Sequence, residues 1–256
     1  MSERKSYYSY SSSGSAFGGI LTSPSSLTIP TQAMASLSPS GGYGSSSVEH
    51  FGVSGVLSVG KAVTTVQGDP KQTELTITLE DVNLMDILKI SRLVMHLVSQ
   101  PDPKGNQTWV SPGGSTIEGL AVHGKSVDVP CAAETFAKYP TYTELEAAYV
   151  EGQLKGLIIE PGSLGAPCTA RTLDGCETVV GDVKATIYPL EQYSGWLPVV
   201  NGGLRVKDFA TLYLGEYRIT KYSRRLTMLR AELGCDTSGG LAFGDGMGNG
   251  HWEPPN

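Results

Sequence analysis

The chain has 256 residues, a formal net charge of −6 and 17% charged residues, below the roughly 25% of an ordinary soluble domain. That length suffices for one large domain or two small ones with a real core, and 32 glycines with 15 prolines make a chain that turns often. The acidic balance gives no general electrostatic ground for binding nucleic acid or an anionic membrane, and no run approaches the roughly 20 apolar residues of a transmembrane helix.

The first stretch, MSERKSYYSYSSSGSAFGGIL, lacks the apolar core of roughly 7–15 residues that an export leader needs, so no leader is legible in it. Residues 1–15 are expected as a flexible tail, on their Ser/Gly/Tyr composition. SAFGGILT and SLTIP carry short apolar runs, and part of residues 1–50 is therefore expected as strand. HFGVSGVLSVGKAVTTVQG (50–68) is β-branched and punctuated by glycine, a pattern of strands with bulges or tight bends, and QGDPKQ (67–72) is a turn by composition.

The next stretch, TELTITLEDVNLMDILKISRLVMHLVSQ (73–100), opens with the period-two alternation of a half-buried strand. Its second half also fits a helix, with Leu84, Ile87, Leu88, Val94, Met95 and Val98 near one face. Ser91 interrupts that helical face, and a strand, a corner at 82–86 and a returning strand agree better with the flanking segments. On that reading Leu93, Met95 and Leu97 point to the core, while Arg92 and His96 share the outer side. STIEGLAVHGKSVDVP (115–130) reads as a hairpin about the two-residue turn His123-Gly124. The best helix is at 142–150, where Thr141 and Glu144 form a capping box. LKGLIIEPG and TVVGDVKATIYPL (178–190) read as strands, as does the long segment 202–234, with Gly203 and Gly215 as turn or bulge points. Residues 235–256 are expected as a Gly-rich coil tail. The expected architecture is all-β: an antiparallel β-sandwich-like domain over 16–234 with at most one or two short helices.

Candidate chemistry is sparse. His50, His96, His123 and His251 lack the spacing that puts two imidazoles on one metal, and no serine has the GxSxG setting of a hydrolase nucleophile. Glu80-Asp81, Glu144/Glu146 and Asp174/Glu177 are carboxylate pairs of the type used in glycoside cleavage, though solvated polar faces account for them. In GDGMGNG (244–250), Asp245 and Asn249 offer oxygen ligands suited to Ca²⁺ on a flexible loop; no other cofactor is expected. Trp109, Trp196 and Trp252, with Tyr193, lie in loop-like contexts where rings stack on sugar faces; plugging of the core edge is the plainer use of them. Lys71, Lys89 and Lys184 are candidates for isopeptide crosslinks, without a partner singled out. Arg224, Arg225 and Arg230 in SRRLTMLRAEL could dock an acidic partner as helix or strand, or serve as a solvated basic edge. Four cysteines, Cys131, Cys168, Cys176 and Cys235, allow two disulfides in three connectivities; Cys168–Cys176 would close a small loop and leave Cys131 with Cys235.

Several of these segments together resemble the bacterial choice-of-anchor P family: GSAFGGIL, the 73–100 stretch with its corner, STIEGLAVHGKSVDVP and VVNGGLRV, over about residues 12–220. The resemblance implies a secreted or surface-displayed β-rich domain with no assigned enzymatic activity. The chain departs from that pattern in having no legible leader or sorting tail, and in YRITKYSRRLTMLRAELG near its end. The expected function is a non-enzymatic structural or interaction protein of a bacterial surface or extracellular assembly, with protein partners or self-association. A carbohydrate-binding module is the alternative, and a glycan-active enzyme the third.

Overall fold

In the computed structural model the described residues are 7–69, 71–101, 108–127, 129, 131, 133–153, 176–179, 203–206, 209–219, 224–234 and 237–253. They form an all-β, antiparallel sandwich. Sheet A has seven strands in the order β11-β12-β13-β14-β15-β1-β2. These are β1 (Tyr7–Ser23), β2 (Leu27–Ser36), β11 (Cys176–Val179), β12 (Gly203–Val206), β13 (Ala210–Ile219), β14 (Arg224–Gly234) and β15 (Ser238–Glu253). Sheet B has eight strands: β3 (Gly42–Val53), β4 (Leu57–Asp69), β5 (Gln72–Leu84) and β6 (Leu88–Pro101) in sequence, then the short β7 (Thr108–Ser111), β8 (Thr116–Glu118) and β9 (Ala121–Val122) along β6, and β10 (Lys125–Ser126) beside β9. Two helices, α1 (Ala133–Ala137) and α2 (Tyr142–Val150), complete the set. No helix among the described residues is long and apolar enough to cross a membrane.

The strand–corner–strand reading of 73–100 holds. Leu75, Ile77 and Leu79 on β5 and Leu93, Met95 and Leu97 on β6 are fully buried, as period-two side chains facing one layer must be. The corner lies slightly later than 82–86: β5 runs to Leu84, which pairs with Leu88. Met85 and Asp86 turn the chain with positive φ, and Asn83 and Asp86 bind each other across the turn. At 67–72, Asp69 Oδ1 accepts from the backbone N–H of Lys71 (2.7 Å) and Gln72 (2.9 Å). His123 and Gly124 take positive φ between Val122 and its partner Lys125, the two-residue hairpin expected. Thr141 and Glu144 cap α2 reciprocally.

Two expectations need correction. Residues 238–253 are not coil but β15, paired with β1 along nearly its length and with β14 from Ser238 to Met247. Likewise, much of 1–15 is strand and not tail: β1 begins at Tyr7 and pairs with β15 from there, and from Ser13 on it also pairs with β2. Composition misleads here because the small residues are what the packing requires. A Cβ on Gly246 would lie 2.5 Å from Met95 Cε and 2.6 Å from Leu75 Cδ2, and one on Gly14 would lie 2.9 Å from Ile77 Cδ1. The large side chains of β5 and β6 fill the space between the sheets there, and the stretches of β1 and β15 around Gly14 and Gly246 meet them with little more than backbone. By contrast, Phe17, Leu21, Leu241 and Phe243 of the same strands bury large side chains of their own.

Each sheet is crossed by a crease. In sheet B the ladder pairs Glu49↔Lys61↔Glu80↔Arg92 and then Phe51↔Val59↔Val82↔Ile90. The intervening His50, Gly60, Asp81 and Ser91 stand in a row without ladder pairing, and His50 and Asp81 both have φ of 54°. In sheet A the corresponding row is Gly215, Met228, Gly244, Ala16 and Ala33, with positive φ at Gly215, Gly244 and Ala33. Left-handed backbone costs an L residue roughly 1–2 kcal/mol, which glycine avoids at 215 and 244. Beyond each crease the buried positions change parity, for example from Val59 to Ala62 and from Leu79 to Val82, so the same side of the sheet keeps facing the core. The crease of sheet A packs on β6 two residues past Ser91, since a Cβ on Gly244 would sit 2.8 Å from Leu93 Cδ2.

Candidate functional site

Two ionic clusters lie on the outer face of sheet A, while the ion pairs Glu49–Lys61, Asp86–Lys89 and Arg92–Glu118 lie at sheet B. Register places Thr227, Asp245, Ser15 and Met34 in one row across β14, β15, β1 and β2, and Arg225, Met247 and Ser13 in the next. Asp245 Oδ1 accepts from Arg225 Nε (2.7 Å) and Thr227 Oγ1 (2.8 Å), and its Oδ2 accepts from Arg225 Nη2. The hydrogen bond to Asp245 holds the Arg225 guanidinium above its ordinary pKa despite partial burial. Ser13, Ser15, Met34, Arg225, Asp245 and Met247 line a groove of about 300 Å³ there. Asp245 therefore sits on a strand with a guanidinium already on its carboxylate, not on a flexible cation-binding loop. Asn249 lies on the same strand, its side chain outside the described residues. Among the described residues no group of three His, Cys, Asp or Glu side chains converges as a metal would require.

A second ionic cluster lies on β13 and β14. Arg230 donates from Nε and Nη2 to Glu216 (2.7 and 2.8 Å) and from Nη1 to Glu232, and its guanidinium lies 3.9 Å from the centre of the Tyr213 ring. The Glu216 side chain is only 3% exposed, so this bidentate pair is the kind whose breakage strands a buried charge. Burial would lower the Arg230 pKa, but the hydrogen bond and charge of Glu216, with Glu232, raise it. Burial, with Glu232 beside it, raises that of Tyr213. The basic-edge reading of SRRLTMLRAEL is thus corrected. β14 is an internal strand, and Arg225 and Arg230 bind carboxylates of β13, β14 and β15.

Arg224 faces the other way and is 2% exposed. It hydrogen-bonds Tyr217, whose hydroxyl is pushed up to about 12 by burial, with Arg224 pulling the other way. Phe136 of α1 meets the Tyr217 ring edge-on at 5.7 Å between centroids, and Tyr142 of α2 feels the Arg224 charge. Arg224 and Tyr217 thus place a buried polar pair of sheet A beside residues of both helices. The sequence signals it only as an arginine beside strand-like alternation.

His96 is the centre of a third group, on β6. Its Nδ1 is 2.5 Å from the Gly113 carbonyl, to which it can only donate, and its Nε2 is 3.0 Å from Glu74 Oε1. Gln67 Nε2 also donates to Glu74, at 2.7 Å. Burial would raise the Glu74 carboxyl, but the hydrogen bonds from His96 and Gln67 and the His96 charge hold it below its ordinary value. Ser115 resembles a nucleophile beside a His–carboxylate pair, but its hydroxyl is committed to the backbone N–H and carbonyl of His96 (3.0 and 3.1 Å). The group pins the 111–115 turn to β6.

The tryptophans do not form one described face. Trp109 is half-buried on β7, opposite Gln100. Trp252 stands in β15 opposite Tyr8, with its side chain outside the described residues. Trp196 and Tyr193 lie outside the described residues, as do Lys184, Asp174 and most of the strand expected at 178–190. Cys131 is disulfide-bonded; Cys168, Cys235 and the side chain of Cys176 lie outside the described residues, and with them the expected pairings.

A family model described as Domain of unknown function (DUF8256) matches residues 8–156, more than half of the chain. The chain belongs to the DUF8256 family. The DUF8256 segment takes in β1 to β10 and both helices, hence the whole of sheet B and the β1–β2 hairpin of sheet A. The ionic clusters on β13, β14 and β15 lie beyond it, although β15 pairs with β1 along nearly its full length. No curated protein and no solved structure matches the chain.

Proposed function

We propose that this DUF8256 chain is a non-enzymatic structural or interaction domain of a bacterial cell-surface or extracellular assembly. The observation that carries the reading is how its ionic side chains are used. Arg225 pairs with Asp245 and Arg230 with Glu216 across adjacent strands, and Arg230 also pairs with Glu232 along its own strand, an arrangement that supports a role in bracing the sheet. The disulfide at Cys131 suits an oxidising compartment, and the resemblance to choice-of-anchor P proteins points to the same setting. Electron microscopy of the concentrated protein tests the reading, with ordered oligomers or filaments expected; a chain that stays monomeric at every concentration would sink it.

A carbohydrate-binding module is the second reading, favoured by Trp109, a half-exposed ring at the margin of sheet B. Binding on a glycan array that disappears in Trp109→Ala would select it. Hydrolysis of a glycan that is lost on changing a single carboxylate, Glu74→Gln for instance, would instead make the chain an enzyme.

A further inference from the structure

Sheet margins expose unpaired N–H and C=O groups that invite another strand, and proteins usually blunt them with proline, lysine, bulges or short strands. Most margins of this sandwich are blunted. β2 carries Pro30, a left-handed Ala33 and an irregular register against β1. β11 has four residues, and the far side of sheet B is made of β7, β8 and β10, of four, three and two residues, with Lys125 on the last. Two stretches are not blunted: Tyr7–Ser12 of β1, which extends past the end of β2, and the longer β3. β3 is 12 residues long, GYGSSSVEHFGV, with no proline, lysine or arginine. It pairs only with β4 among the described strands, and none of its residues is fully buried.

We infer that β3 is the surface through which two copies of this chain join, by antiparallel pairing about a two-fold axis at Ser46. The inference rests on the assembly reading above and names its partner. The crease at His50 ends the regular part of the strand, leaving 43–49 as the run that can pair, and Ser46 is its midpoint. A two-fold axis normal to the sheet keeps the inner face inner, so opposed residues share a side. Gly44 then faces Val48 and Ser46 faces its own copy on the inner side, while Tyr43 faces Glu49 and Ser45 faces Ser47 on the outer.

Charge and shape select a second copy. The acidic side chain of β3, Glu49, is already held 3.3 Å from Lys61 of its own sheet, and this register sets it against Tyr43 and not against another Glu49. The centre is three serines, small enough for close approach of the two strands. Apolar surface flanks the edge at Tyr43, 69% exposed on β3. A seven-residue ladder covers less than the roughly 800 Å² per partner of a standard interface, so the association is concentration-dependent.

Sedimentation of the full chain over a range of concentrations, with two variants, tests this. In Ser45→Lys/Ser47→Lys each lysine opposes a lysine of the other copy. Two such like-charge pairs weaken association by about ten-fold, while the thermal melt is unchanged because both positions are exposed. Opposed residues of an antiparallel pair bring their Cβ atoms within reach of a disulfide, so Ser46→Cys crosslinks two copies on mild oxidation, whereas Ser45→Cys and Ser47→Cys do not. Ordered oligomers that persist in the double-lysine variant, with Ser46→Cys uncrosslinked, would overturn the β3 interface and leave the assembly reading standing. A wild-type chain that is monomeric throughout would overturn both.

Discussion

The β5–β6 hairpin and the β1–β15 pair face each other across the middle of the sandwich and contribute opposite things to it. β5 and β6 supply Leu75, Ile77, Leu79, Leu93, Met95 and Leu97, all buried. β1 and β15 supply Gly14, Ala16, Gly244, Gly246 and Gly248 on the facing side. Along this stretch the interface is close-packed because β5 and β6 bring volume where β1 and β15 bring glycine and alanine; further along the same two strands, Phe17, Leu21, Leu241 and Phe243 fill the core themselves. It follows that the two sides should respond oppositely to mutation: the first to truncation, the second to enlargement.

The largest expected effect is on the voluminous side. Leu93→Ala should lower stability by about 3–4 kcal/mol, as cavity-forming core substitutions do, because the position facing it, Gly244, has no side chain to move into the space; chemical denaturation measures it. Arg230→Ala, on the outer face, should cost about 3 kcal/mol by leaving Glu216 buried without its partner. Arg230→Ala/Glu216→Gln together should recover part of that loss, and a double-mutant cycle that is additive would show the pair is not coupled.

On the small side, Gly244→Ala combines left-handed φ with a Cβ 2.8 Å from Leu93, and should cost about 2–3 kcal/mol. Gly248→Ala, whose Cβ would find its nearest atom at 3.5 Å, should cost less than about 1 kcal/mol. Equal thermal shifts for the two would break the comparison between the volume-giving and volume-free stretches. The smallest effect is that of Glu74. Its carboxyl is held below the ordinary 4.5, so the stabilisation is present above that pH and lost as pH falls through the lowered value. Acid titration of the melting temperature in wild type and Glu74→Gln should differ by less than about 1 kcal/mol, with the wild-type curve falling more steeply below pH ~4.5.

The same contrast explains what the residues disclose on inspection. Residues 73–100 announce their strands because leucine, isoleucine and valine mark every second position. β15 hides its strand because the marks are glycines: 244, 246, 248 and 250 recur at period two, a signal present in GDGMGNG but one that composition assigns to coil. Asp245 and Arg225 each stand out alone, as a metal ligand and as a basic contact, yet they are a single ion pair. Twenty positions separate them, and only the β14–β15 register makes them neighbours. Glu216 and Arg230 are hidden in the same way across β13 and β14. The rows of positive φ are less legible still, since His50, Asp81 and Ala33 have no composition that marks them as bends.

Those two rows act as a parity check on the whole sandwich. Each strand crossing a row carries one extra residue at the same rank as its neighbours, and only because all of them do is the inward face preserved. Deleting His50 alone would turn one arm of β3 inside out, exposing Val48 and burying Glu49 against unchanged neighbours. Length changes in this fold are therefore correlated across strands far apart in the chain: a residue lost at one crease position has to be matched by losses at the others, or placed in a hairpin loop where it alters no count.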